Sequence, residues 1–120
     1  MRDHTKLKVF HLADKLALLV YQRTKSFPAD ERFALTSQVR RAAVSVAANI
    51  VEGAARPTQT DYARYLAIAY GSARELEYEL SIASRLGYLT PVDAAELQDL
   101  VSQTGRALRG LVIAIQKERT

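Results

Sequence analysis

Wound at helical pitch, residues 35 to 53 (LTSQVRRAAVSVAANIVEG) set one polar stripe between two apolar seams. A helix built this way cannot lie on the outside of a lone bundle. Leu35, Val39, Ala42, Ala43, Val46 and Ile50 recur at the three-and-four spacing of a core-facing helix. Gln38, Arg41, Ser45, Asn49 and Glu52 follow one another along a single flank as a polar ladder. Val44, Ala48 and Val51 occupy the face where Lys and Glu would stand if it met water. This second seam suggests contact with another subunit; the alternative is that these are scattered surface apolar residues, which are common.

Three further stretches carry the same periodicity. The spacing predicts a first helix over about 8–25, with Val9, Leu12, Ala13, Leu16, Leu19 and Val20 inward, ended by Ser26, Phe27 and Pro28. The second covers about 35–55, preceded by a short turn at Asp30 to Phe33 and broken by Arg56 and Pro57. Thr58 caps the third, over 59–86, which keeps a heptad through Tyr62, Leu66, Ala69, Ala73, Leu76, Leu80 and Ala83 and stops at Gly87. Thr90 caps the fourth, over 91–117, with Leu97, Val101, Thr104, Leu108, Leu111 and Ile115 inward. Nothing alternates at period two and the connections are short. The expected fold is therefore all-α, an up-down-up-down four-helix bundle with left-handed antiparallel packing, forming one domain over 1–120.

Composition removes several functions. With no cysteine there is no disulfide, thiolate nucleophile or Cys-containing metal site, and the expected compartment is the cytoplasm. Asp14 and Lys15 interrupt the apolar N-terminal run, so it reads as a mature helix rather than a signal peptide. Bundle enzymes of the di-iron type need Glu-x-x-His pairs, whereas the histidines here are His4 and His11, both near the N-terminus. No serine has a histidine base, and the five glycines are too dispersed to cradle a phosphate. The reading is a non-enzyme with no cofactor, metal or small-molecule substrate.

The polar residues instead suggest structure. If the second and third helices are antiparallel, Arg41 comes level with Ser72 and Ala73, within reach of Glu75. An Arg41–Glu75 ion pair, supported by Gln38, Ser45, Asn49, Glu52 and Ser72, would fix register and subunit orientation. Glu77 points away from Glu75 and Glu79. Arg40, on the opposite flank from Arg41, would join Val44, Ala48 and Val51 at an oligomer interface.

The net charge is +4, with ten basic and five acidic side chains in residues 1–60. Arg2, Lys6, Lys8, Arg56, Arg64, Lys117 and Arg119 gather at one end of the bundle, opposed by Asp3, Glu52, Asp61 and Glu118. Lys6, Lys8, Arg56 and Arg64 are the candidate phosphate contacts for a nucleic acid, although solvated helix ends have the same composition. Tyr62 and Tyr65 lie toward the core seam, while Tyr70 and Tyr78 face outward.

The segments FPADERFALTSQVRRAAVSVAANIVEG and YARYLAIAYGSARELEYELSIASRLGYL resemble the four-helix-bundle family whose founding members are encoded in intervening sequences of bacterial 23S ribosomal RNA genes. The resemblance runs from Phe10 onward. It rests on Phe27 and Pro28, Leu35, Gln38, Arg40, Arg41, Ser45, Asn49, Glu52 and Gly53, then Leu66, Gly71, Ser72, Glu75 to Glu77, and Gly87 to Leu89. It implies a ring-shaped homopentamer and kinship with accessory proteins of diversity-generating retroelements, which engage RNA and a reverse transcriptase. It implies no established activity. Ala47 and Ala48 stand where many relatives have proline and serine, which straightens the helix slightly.

Together these readings give a non-catalytic homo-oligomeric scaffold that binds RNA, or an RNA-handling protein of the reverse-transcriptase kind, through a basic surface. The alternative is a protein-binding adaptor with no nucleic-acid role.

Overall fold

Apolar residues spaced three and four apart force four stretches into helices whose stripes are buried against one another. A computed structural model of the chain describes residues 2–118. The helices are α1 (Lys8–Arg23), α2 (Leu35–Ala54), α3 (Gln59–Arg85) and α4 (Pro91–Glu118), with short 3-10 turns at His4–Lys6 and Ala29–Glu31. No strand occurs among the described residues. The sequence boundaries hold to within two residues; α1 stops at Arg23 rather than Lys25, with Thr24 closing the last turn by donating its N–H to the Val20 carbonyl.

Each helix packs antiparallel to its chain neighbours. Ser45 of α2 meets Ser72 of α3, and Gly53 meets Tyr65 one end further along, so the numbering runs in opposite directions. Gln98 of α4 donates to the Glu77 carbonyl of α3 at 3.3 Å. Arg23, at the end of α1, pairs with Asp93 at 3.3 Å and Glu96 at 3.1 Å near the start of α4. The result is an up-down-up-down four-helix bundle, a rod of 47 × 22 × 20 Å.

Its axis is filled by Leu16, Ile50, Leu66, Leu76, Leu97 and Leu108, all fully buried. Truncating any of these leucines to alanine would cost about 2–5 kcal/mol through lost transfer energy and the cavity left behind. Leu12 and Leu111, expected inside, are half-buried, because each lies at the margin of its stripe where the bundle opens to solvent.

The helix ends are set locally. The Thr58 and Thr90 hydroxyls each accept an N–H three residues on, from Asp61 and Asp93, both at 3.1 Å. Gly87 adopts φ 78°, and around it Tyr88 N–H bonds the Ala83 carbonyl at 2.9 Å and Gly87 N–H bonds Ser84 at 3.1 Å. This is a Schellman stop, which needs the left-handed conformation glycine reaches without strain. At the same end, the Tyr88 phenol donates to Glu31 at 2.8 Å and ties the two connections together. At the other end Arg2 binds the chain across the α2–α3 turn. Its N–H donates to the Ala54 carbonyl and its guanidinium to the Arg56 carbonyl and the Gln59 side chain, 3.9 Å above the Tyr62 ring.

Candidate functional site

The polar ladder of α2 faces α3 across a groove of about 490 Å³ lined by Gln38, Arg41, Ala42, Ser45, Ser72 and Glu75. Antiparallel packing brings these residues together because small side chains on both helices let them close to a short distance. The Ser45 and Ser72 hydroxyls meet at 2.9 Å. The Asn49 amide donates back along α2 to the Ser45 carbonyl at 2.8 Å and to its hydroxyl at 3.0 Å. Below them Gly53 admits Tyr65, whose Cβ would stand only 2.9 Å from a Cβ added at Gly53.

Arg41 and Glu75 share the groove but form no ion pair, contrary to the sequence expectation. Both are exposed, and in water the Coulomb gain of such a pair barely offsets the entropy of holding two long side chains together. Glu52 also leaves the ladder, pairing with Arg56 one turn along at 2.6 Å.

Glu75 instead acts on Glu79, a residue to which the sequence pattern assigns no role. Glu79 is 5% exposed, and one of its carboxyl oxygens has no hydrogen-bond partner among the described residues. Burial, then hydrogen bonding to Glu75, then the Glu75 charge push its pKa up to about 7. The sequence does carry a signal: Ser72, Glu75 and Glu79 follow one flank of α3 at steps of three and four, the flank that faces α2.

Beside the groove, the second seam lies on the outside of the protomer. Val44 is 44% exposed, Ala48 is exposed and Val51 is half-buried. Arg40 is turned away from this seam toward α1, where its Nε donates to the Thr24 hydroxyl at 2.8 Å.

At the end bearing Arg2, Lys6 and Lys8 are exposed and carry no ion pair among the described residues. Arg64 lies 3.7 Å from Asp61, and Arg56 is held by Glu52. Both guanidiniums also cover the Tyr65 ring, at 5.2 Å and 4.7 Å from its centroid for Arg56 and Arg64 respectively. Arg119 lies outside the described residues. Tyr62 is buried and Tyr65 half-buried, whereas Tyr78 is 63% exposed. Tyr70 is half-buried, its hydroxyl accepting from Arg74 at 3.3 Å.

Among the described residues no three His, Asp or Glu side chains gather to hold a metal ion. No helix among them is long and apolar enough to cross a membrane.

Comparison with solved structures finds a protein of unknown function from the S23 ribosomal protein family of Bacteroides thetaiotaomicron. It superposes with a TM-score of 0.81 at 23% identity, covering 87% of this chain and 97% of that one, a likeness of fold. Comparison with curated proteins finds no match. The sequence profile of the family described as 23S rRNA-intervening sequence protein matches residues 5–110. With that match spanning most of its length, the chain belongs to the 23S rRNA-intervening sequence protein family.

Proposed function

We propose that this chain is a non-catalytic scaffold that assembles with copies of itself, as a ring-shaped pentamer, and offers a basic rim to RNA or to an RNA-handling protein such as a reverse transcriptase. The observation that carries the assembly is the outward face of α2. Val44, Ala48 and Val51 form an apolar strip directly beside a groove whose Arg41 and Glu75 have no ion-pair partner among the described residues. A ring closes through a heterologous contact, in which one face of each copy meets a different face of the next, and an apolar strip bordered by charges of both signs supplies one side of such a contact. Light scattering tests it: Val44→Glu lowers the particle mass while helicity is retained. A mass unchanged by this substitution refutes the interface.

The RNA half of the reading is supported by Lys6 and Lys8, exposed and without an ion pair among the described residues, at the same end of the bundle as the Arg56–Tyr65–Arg64 cluster. Structured RNA should bind with steep salt dependence, and salt-independent or undetectable binding counts against it.

One observation favours the second reading, a protein-binding adaptor. Between α1 and α4, Leu7, Val9, Ala107 and Leu111 line an apolar furrow of about 360 Å³ with Lys6 and Lys8 on its rim. A protein that copurifies after nuclease treatment, and is absent with Leu111→Glu, would support that reading over RNA.

A further inference from the structure

The connection from α1 to α2 borders an open hollow of about 310 Å³ on the flank of α2 opposite the Ser45 groove. Three of the side chains lining it, Lys25, Arg32 and Arg40, are cations, and none is a carboxylate. None of the three has an ion-pair partner among the described residues, whereas Arg23, Arg56, Arg64 and Arg74 each meet an acid. Of the acids nearest in the chain, Glu31 is engaged elsewhere, accepting from the Tyr88 phenol at 2.8 Å, while Asp30 is exposed and does not line the hollow.

Arg40 is fixed in place. Its Nε donates to the Thr24 hydroxyl at 2.8 Å, one terminal nitrogen reaches the Tyr21 carbonyl at 3.5 Å, and its Cζ lies 4.7 Å from the Tyr21 ring centroid. The Thr24 hydroxyl in turn donates to the Val20 carbonyl at 2.8 Å, so the guanidinium rests on a buried, oriented support. Its other terminal nitrogen makes no hydrogen bond among the described residues. Thr36, 8% exposed, adds to the wall a hydroxyl with no hydrogen-bond partner among the described residues.

We infer that this hollow binds a phosphate group, either as the free anion or as the ester end of a small organic molecule such as a nucleotide. Three cations on the wall of one hollow that no carboxylate lines raise the local anion concentration, and a preorganised Arg40 guanidinium matches phosphate oxygens, while the Arg32 guanidinium rests over the Phe33 ring at 5.3 Å. The volume falls at the lower end of the roughly 300–1,000 Å³ typical of small-ligand sites, leaving room beyond the anion itself. Phe27 and Pro28 supply an apolar wall for an organic group. The site stands apart from Lys6 and Lys8 at the far end of α1 and does not rest on the proposed assembly.

The test is a titration of the full chain at constant ionic strength, read by backbone amide shifts, with inorganic phosphate and with adenosine 5′-monophosphate. Saturable shifts confined to Lys25–Arg32 and Arg40 support the site. Lys25→Gln and Arg32→Gln, both at exposed positions, should each weaken binding about tenfold, while Lys15→Gln, at an exposed position midway along α1, leaves it unchanged. Arg40→Gln is avoided as the deciding variant because Arg40 braces α1 against α2. Tighter binding of the nucleotide identifies an ester site, and equal affinities identify a free-anion site. Absence of saturation by about 10 mM of either ligand, or shifts that survive the combined Lys25→Gln and Arg32→Gln variant, overturns the inference.

Discussion

Glu79 stands one turn beyond Glu75 on α3, with its side chain buried and one carboxyl oxygen without a hydrogen-bond partner among the described residues. Its folded-state pKa, about 7, lies above the ordinary value of 4.5. Between those values the folded chain holds a proton that the unfolded chain has released, so this group's contribution to stability falls as pH rises and levels off above about 7. Glu79→Gln keeps the shape and removes the titration. The variant should match the parent near pH 4 and exceed it by on the order of 2 kcal/mol near pH 8 in denaturant melts. A difference between the two that does not vary with pH would rule out a buried acid titrating at this position.

Two glycines should respond oppositely to alanine. At Gly53 the new methyl would lie 2.9 Å from Tyr65 Cβ and 3.4 Å from the Tyr62 ring and carbonyl, so α2 and α3 must move apart. The cost should be about 1–3 kcal/mol despite alanine's better helix propensity. Gly71 faces open space in the same protein, and Gly71→Ala should stabilise by about 0.5–1 kcal/mol. Chemical denaturation of both variants measures the contrast.

Val51→Glu, on the same outward strip as Val44, should also reduce the assembled mass. Val92→Glu is the matched control, since Val92 is 78% exposed near the start of α4, away from the strip. It should leave the mass unchanged and shift stability by no more than about 0.5 kcal/mol. Sedimentation of both variants separates a specific interface from a general effect of added negative charge.

If Lys6 and Lys8 engage phosphates, replacing both with glutamine should weaken structured-RNA binding across sequences. The slope of log affinity against log salt should flatten by about 0.7–0.9 for each lysine–phosphate pair removed. A slope unaltered by the double substitution would move the RNA surface elsewhere on the protein.

The four helices are legible in the sequence because their burial follows a period that chain order alone reveals. Leu66, Ala69, Ala73, Leu76 and Leu80 announce the inward face of α3, and Thr58, Gly87 and Thr90 mark helix ends by purely local chemistry. The pairing of side chains across helices is less accessible. Helix register brings Arg41 and Glu75 to one groove, but whether two exposed charges pair depends on solvent competition that spacing does not encode. The angle of Arg40 on α2 assigns it to the outer strip, yet its long side chain reaches back to Thr24 on α1, an interaction set by rotamer choice. Glu79 escapes a reading of the sequence because acids are seldom buried, although its position between Leu76 and Ala83 places it on the enclosed flank.

The elongated outline has a bearing on how ligands would be shared. Lys8 and Arg23 bound an α1 of 16 residues, so the lysine end and the hollow beside Thr24 are separated by about 24 Å of helix. Were copies to stand side by side like the staves of a barrel, the lysines would line one mouth and the hollows the other. A polyanion seated at one mouth would then leave the opposite mouth free, and the two could be filled or emptied without steric competition.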